Sequence, residues 1–355
     1  MQTNVHISTK KSSKATVWMV LLFLAVAILG LYYVKWEPYY QKAFLAATKH
    51  DIGASIVSGK AAAAPAPSWQ AALDYAKTYF LAVWKAAVLG IVLGSLVQVL
   101  IPRDWLVRVL GSRSFKSTAV ASIAALPGMM CSCCAAPVAV GLRKRFASVG
   151  AALAFWLGNP VLNPATIIFM GFVLNWRFAF LRIVFGILLV FGVAYLANRL
   201  VKENELKAEG DIFEVPKELA KAQGSLWIRW GKALLSLFWS IVPVYVLTVL
   251  ILGAARAWLF PSVSVEWGNS LVTLIVLSIT GTLFVIPTAA EIPIVKTMMS
   301  YGLGVGPAAA LMMTLPAVSL PSLMMVRKVF PAKVLWMVLG VVILVGILTG
   351  LVAMI

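Results

Sequence analysis

The chain has 355 residues, of which 62% are hydrophobic and 12% charged, with 30 Lys and Arg against 12 Asp and Glu for a formal charge of +18. Several uncharged runs reach the roughly 20 residues a helix needs to cross a bilayer, which excludes an ordinary soluble fold. The basic residues sit in short blocks beside those runs and not along one face or tail, so they read as orienting charges and exclude a nucleic-acid surface.

Lys10, Lys11 and Lys14 precede an apolar run from Val17 to Val34. The run is long for the core of a signal peptide. Tyr32-Tyr33-Val34-Lys35-Trp36 offers an aromatic interface belt where cleavage would need small residues, so an uncleaved anchor with a cytoplasmic N-terminus is expected. From Lys35 to Ser68 the chain reads as extramembranous and outward, which makes residues 1–72 an anchor with an outer-surface segment. Further spans are expected at Tyr75 to Ile101, Phe146 to Leu174, Phe178 to Leu200, Gly231 to Ala255, Leu303 to Val326 and Val334 to Ile355. Two proline-interrupted segments, Ser117 to Leu142 and Gly268 to Val295, complete the apolar set.

Charged residues crowd between positions 198 and 230, so residues 201–230 form a cytoplasmic linker between two halves, 73–200 and 231–355. A shift of 156 superimposes Pro137 on Pro293, Gly150 on Gly306, Pro160 on Pro316 and Arg177 on Lys333. Broken hydrophobic segments at matching places in two halves are the sequence mark of a transporter scaffold.

The charges also bear on orientation. Arg103, Arg108, Arg113 and Lys116 precede the first broken segment and Arg143, Lys144 and Arg145 follow it, so both of its ends belong in the cytoplasm. The segment should therefore be re-entrant. Each half then has three true crossings, and the second half runs inverted. Arg327, Lys328 and Lys333 fall inside, and Trp258 to Trp267, with Glu266, falls outside. The expectation is an all-α polytopic protein of seven crossings plus two re-entrant segments, with nine crossings as the alternative.

Irregular backbone at membrane depth is tolerated only where protein buries it or a wet cavity accepts it. The breaks thus point at a pathway. They lie at Pro127, Pro137, Pro287 and Pro293, at Asn159-Pro160 with Asn163-Pro164, and at Pro316 and Pro321. All the cysteines, Cys131, Cys133 and Cys134, fall in the first break. Thiolates are soft ligands suited to trivalent arsenic or copper(I), and two or three sulfurs can converge only if the turn is irregular. The competing reading makes them small buried hydrophobes. Paired methionines near the breaks read as flexible core.

Glu291 is an isolated intramembrane carboxylate and so a coupling candidate, with desolvation expected to raise its pKa toward neutrality. Its structural alternatives are a pair with Lys296 or a hydrogen-bonded brace for the broken helix. Asn159 and Asn163 read as caps beside prolines, with a ligand role second.

Cys131-Ser132-Cys133 with Ala136-Pro137-Val138, Gly150-Ala151-Ala152 and Asn159-Pro160 resembles the predicted permeases that include bacterial organoarsenical efflux permeases of the ArsP type, over nearly the whole chain from residue 75. The resemblance implies that Cys131 and Cys133 act as transient ligands of trivalent organoarsenicals during export. Cys134 stands where a small residue such as Gly is expected.

The sequence thus reads as a multi-pass transporter of the bacterial inner membrane, not an enzyme, with no cofactor. Its partners are the lipid bilayer, a small thiophilic substrate and a coupling proton, and no nucleic acid. No Walker-type loop is present to couple ATP. A carrier of a reduced sulfur compound or soft metal ion, and a membrane-embedded thiol oxidoreductase, are the alternatives. Against the second, His6 and His50 both lie outside the apolar runs.

Overall fold

Only a helix satisfies every backbone amide within one segment in hydrocarbon, and the long uncharged runs are helical throughout. The computed structural model describes residues 14–59, 61, 63–201, 225–260 and 268–355. Among these no β-strand is present, and seven helical segments are long and apolar enough to cross a membrane. Most of the charged linker lies outside the described residues, as do positions 261–267 of the stretch expected outside the membrane.

The first helix, α1 (Lys14–Leu31), passes through a π-helical turn at Tyr32–Trp36 into α2 (Glu37–Lys49). The outer segment expected from Lys35 therefore begins later, because the π turn lets the helix continue and directs Lys35 inward, where it is only 5% exposed. Tyr32 and Tyr33 do face outward.

The first half comprises α3 (Trp69–Leu100), α4 (Arg103–Leu110), α5 (Phe115–Ala125), α6 (Ser132–Lys144), α7 (Val149–Val161), α8 (Pro164–Val173) and α9 (Trp176–Leu200). The second comprises α10 (Leu226–Leu259), α11 (Leu271–Leu283), α12 (Glu291–Ser300), α13 (Val305–Ala317), α14 (Leu320–Val326) and α15 (Ala332–Met354). Local chemistry sets many of the starts. Ser68, Ser114, Ser148, Asn175 and Ser270 each accept a hydrogen bond from a backbone N–H of the first turn, supplying a partner that a helix start otherwise lacks.

The element order repeats at the spacing of the proline landmarks. A shift of 156 carries the start of α5 onto that of α11, α7 onto α13 at both ends, and the starts of α8 and α9 onto those of α14 and α15. Packing repeats as well: α5 on α7, α6 on α7 and α7 on α9 have counterparts in α11 on α13, α12 on α13 and α13 on α15.

The two longest helices, α3 and α10, pack antiparallel. Trp230 Nε1 donates to Ser95 Oγ at 2.9 Å near one end, the Tyr79 and Tyr245 hydroxyls meet at 2.6 Å, and Gly253 lies against Tyr75 near the other.

Side-chain and loop contacts also fix where the broken segments begin and end. Ser148 N donates to Leu110 O at 2.7 Å and the Arg145 guanidinium donates to Gln98 O, so the α5–α6 segment starts and finishes at one end of the bundle. Gly304 N donates to Gly268 O at 2.7 Å, which does the same for α11–α12. That second turn lies at the opposite end, because Lys296 Nζ donates to His50 O at 2.6 Å and His50 Nδ1 lies 2.7 Å from Phe172 O at the far end of α7–α8.

Small residues let α6 approach α3 backbone to backbone. A Cβ on Gly94 would lie 2.6 Å from the Pro137 carbonyl carbon, and one on Gly90 would meet the Cys134 carbonyl. This seats the first turn of α6 deep inside the protein.

Candidate functional site

Proline removes the N–H that position i would donate to the carbonyl of i−4, and each half carries this lesion in the middle of a span. Pro164 leaves the Pro160 carbonyl without its helical donor, and Pro316 does the same to Met312. Arg182, on α9 and 1% exposed, repairs both: Nη2 donates to Pro160 O at 2.7 Å and Nη1 to Met312 O at 2.9 Å, while Nε donates to Val161 O at 3.0 Å. A guanidinium carries five donors in a rigid fork, which a Lys could not match here.

The charge of Arg182 is balanced by Glu291, also 1% exposed, whose Oε1 accepts from Nη1 at 2.8 Å. The pairing with Lys296 weighed from sequence does not form, because Lys296 reaches the His50 carbonyl instead. Glu291 Oε2 has no hydrogen-bond partner among the described residues.

Glu291 also lines a narrow cleft to which each of the four broken segments contributes. Cys131 and Ser132 come from the first break, Pro160 from the α7–α8 break, Ile286 to Ala289 with Glu291 from the α11–α12 segment, and Leu315 and Pro316 from the α13–α14 break. The shift of 156 maps Cys131-Ser132 onto Pro287-Thr288 and Pro160 onto Pro316, so equivalent positions of the two halves face one another here.

Cys131 has extended backbone and caps α6, its sulfur accepting from Cys134 N at 3.4 Å. This geometry brings Cys131 Sγ within 2.9 Å of Cys134 Sγ. Cys133 turns away toward the Ser319 hydroxyl at 3.4 Å, and all three are free thiols. The close pair is thus Cys131 with Cys134, not with Cys133, because the cap and the first helical turn stack positions three apart. Among the described residues no group of three or more His, Cys, Asp or Glu is placed to hold a metal ion. Ser132 Oγ lies 3.4 Å from Ser319 Oγ and Ser132 O accepts from Trp156 Nε1 at 2.8 Å, tying the turn to both halves.

The asparagines stand back from the cleft. Asn163 caps α8 through Oδ1, and Asn159 Nδ2 donates to Phe155 O at 2.9 Å. Asn159 Oδ1 and Asn163 Nδ2 are buried without partners among the described residues. Of the remaining prolines, Pro127 offers its carbonyl to Trp36 Nε1 at 2.8 Å, Pro137 lies inside α6, Pro293 inside α12, and Pro321 in the first turn of α14.

Sequence reading passed over Arg182 and Lys35. Arg182 carried a signal, being a lone charge within an apolar run, which by default marks function. Lys35 carried a weaker one, since an interfacial Lys usually snorkels. In the structure its ammonium donates to Thr288 Oγ1 and to the Tyr39 hydroxyl, both at 3.1 Å.

A family model described as a predicted permease (ArsP_1) matches residues 68–355. The chain is 57% identical over 333 residues to UPF0718 protein YraQ of Escherichia coli (strain K12), covering 94% of each chain. It is 23% identical to UPF0718 protein MJ0584 of Methanocaldococcus jannaschii, covering 76% of this chain and 90% of that one. No solved structure matches.

Proposed function

Because the chain belongs to this predicted permease family and is a multi-pass membrane protein, we propose that it is a secondary transporter that exports a thiophilic species, trivalent organoarsenicals first among them, through the cleft at Cys131. The observation that carries the reading is the placement of a thiol-bearing helix start where all four proline-marked breaks meet, walled by prolines and served by a carboxylate with a free oxygen. Unwound backbone at membrane depth, opposed across equivalent positions of two halves, is what alternating access around a fixed midplane site requires.

Several features support an inverted repeat with two re-entrant segments. The antiparallel α3 and α10, and broken segments that start and end together at opposite ends of the bundle, fit that reading. Arg103, Arg143, Arg145 and Lys328 share one end, which the positive-inside rule assigns to the cytoplasm of a bacterial inner membrane. The start of α1 packs near the same end, through Met19 and Phe23 against Leu96 and Leu100, which supports a cytoplasmic N-terminus. Energy then comes from a proton gradient, with Glu291 as the carrier once Arg182 releases it.

The test is accumulation of trivalent methylarsenite in everted vesicles. Native protein accumulates it under a proton gradient, and Cys131→Ser does not. Serine is a good helix cap, so this variant keeps the start of α6 while removing the soft ligand. Well-folded native protein that accumulates nothing would sink the assignment.

The 2.9 Å separation of Cys131 and Cys134 sulfurs favours one second reading, thiol oxidation by a quinone. Two thiols would pass two protons and two electrons to the quinone, giving a disulfide and a quinol. That activity would persist without a gradient.

A further inference from the structure

The segment that brings Lys35 to Thr288, a residue of the cleft wall, stands apart from the duplicated scaffold. It precedes the residues matched by the family model, yet it touches a broken segment in each half, through Trp36 on Pro127 and Lys35 on Thr288. The π turn at Tyr32–Trp36 gives both side chains their inward direction, and such turns recur at functional sites.

Arg182 and Glu291 neutralise one another, whereas Lys35 has two hydroxyl partners, the thiols of Cys131 and Cys134 as its nearby acidic groups, and no carboxylate within ion-pair distance among the described residues. An ammonium held away from water without a counter-charge is costly, and proteins retain such groups where a ligand completes them. The ammonium stands one hydroxyl behind the wall of the cleft. Because Thr288 Oγ1 accepts from Lys35, its own O–H is left free to donate, and Thr288 is a lining residue of the cleft. Lys42, exposed seven residues further along, lies close enough for its positive charge to interact with that of Lys35.

Resting on the transporter reading above, we propose that Lys35 is the specificity-determining residue of the cleft and that the cargo enters carrying one negative charge, its anionic group at Thr288 and its soft atom at Cys131. Glu291 Oε2 accepts from a hydroxyl of the cargo, such as one borne by a trivalent arsenic centre. Neutral thiophilic species such as methylarsenite are then carried less well than a monoanion, because they lack the charge that completes Lys35, and dianions leave an excess.

The test is a matched pair of probes with the same soft atom: phenylarsenite and its para-carboxylate analogue, in proteoliposomes holding the full chain. Native protein prefers the carboxylate probe by at least tenfold. Lys35→Gln reverses or abolishes that ratio, and Lys35→Arg retains it, which separates charge from shape. Equal ratios in native protein and Lys35→Gln overturn the proposal and leave the transporter reading intact. A loss of both probes in both variants, with native thermal stability, also overturns it, since the residue would then act by shape. Folded native protein that carries neither probe overturns the transporter reading and the proposal with it.

Discussion

Replacing Arg182 by Met tests whether one guanidinium holds the two proline breaks and the carboxylate together. The substitution leaves Glu291 charged in the interior and strips donors from Pro160, Val161 and Met312. Breaking one side of a buried ion pair costs about 3–5 kcal/mol, and each carbonyl left bare adds about 1–3 kcal/mol where no water replaces the donor. These terms overlap, so the expected loss is about 3–5 kcal/mol, or a fall of roughly 6–10 °C in the melting midpoint at the lower end of the usual conversion. Monodispersity of detergent-purified protein after a heating series would measure it. A second substitution, Glu291→Met, removes the stranded charge. The double variant should recover about 2 kcal/mol relative to Arg182→Met, as expected of directly paired residues in a mutant cycle. It should stay below native because the carbonyls remain bare. Strict additivity of the two single variants, or midpoints within 1–2 °C of native, would refute the argument that Arg182 braces the breaks by charge and hydrogen bonding together.

Other outcomes follow from the same geometry. Gly94→Ala should separate α3 from α6, because the new Cβ meets the Pro137 carbonyl carbon at 2.6 Å and Val138 N at 3.0 Å; overpacking of this kind costs about 1–3 kcal/mol, and maleimide labelling of the cysteines should accelerate. Phenylarsine oxide should protect Cys131 and Cys134 from alkylation while leaving Cys133 open, read by mass spectrometry; protection of Cys133 together with Cys131 would contradict the 2.9 Å pairing. Asn163→Ala should destabilise α8 by about 0.5–2 kcal/mol through loss of the cap to Ala165 N and Thr166 N, whereas Asn163→Ser should keep part of the stability, since Ser caps without burying a charge. Trp36→Phe removes the donor to Pro127 O and should lower stability by about 1 kcal/mol, a change that Lys35→Arg should not reproduce.

Much of this protein is legible from its sequence because the bilayer imposes strong rules on short stretches of chain. Hydrocarbon forces each uncharged run into a helix, so the number of spans follows from hydropathy. Proline deletes a helical donor wherever it falls in the interior, so the helix ends just past Pro160 and Pro316 and their spacing of 156 are also local signals. Ser and Asn beside a run mark helix starts for the same reason, as Ser148 and Asn175 do. The tertiary structure alone decided who meets whom. Glu291 looked to Lys296, five residues away, but takes Arg182, 109 residues distant, because the orphaned carbonyls of two breaks hold that guanidinium in place. Lys35 looked like an interfacial residue, and only a one-residue change of helical register at the π turn, invisible in composition, turns it toward Thr288. The pairing of Cys131 with Cys134 rather than Cys133 depends on where α6 begins, which the close approach of Gly90 and Gly94 on α3 helps to fix. Local propensity writes the elements into the sequence, whereas buried polar partners are chosen by the packing of distant segments, where each unpaired group carries a desolvation cost.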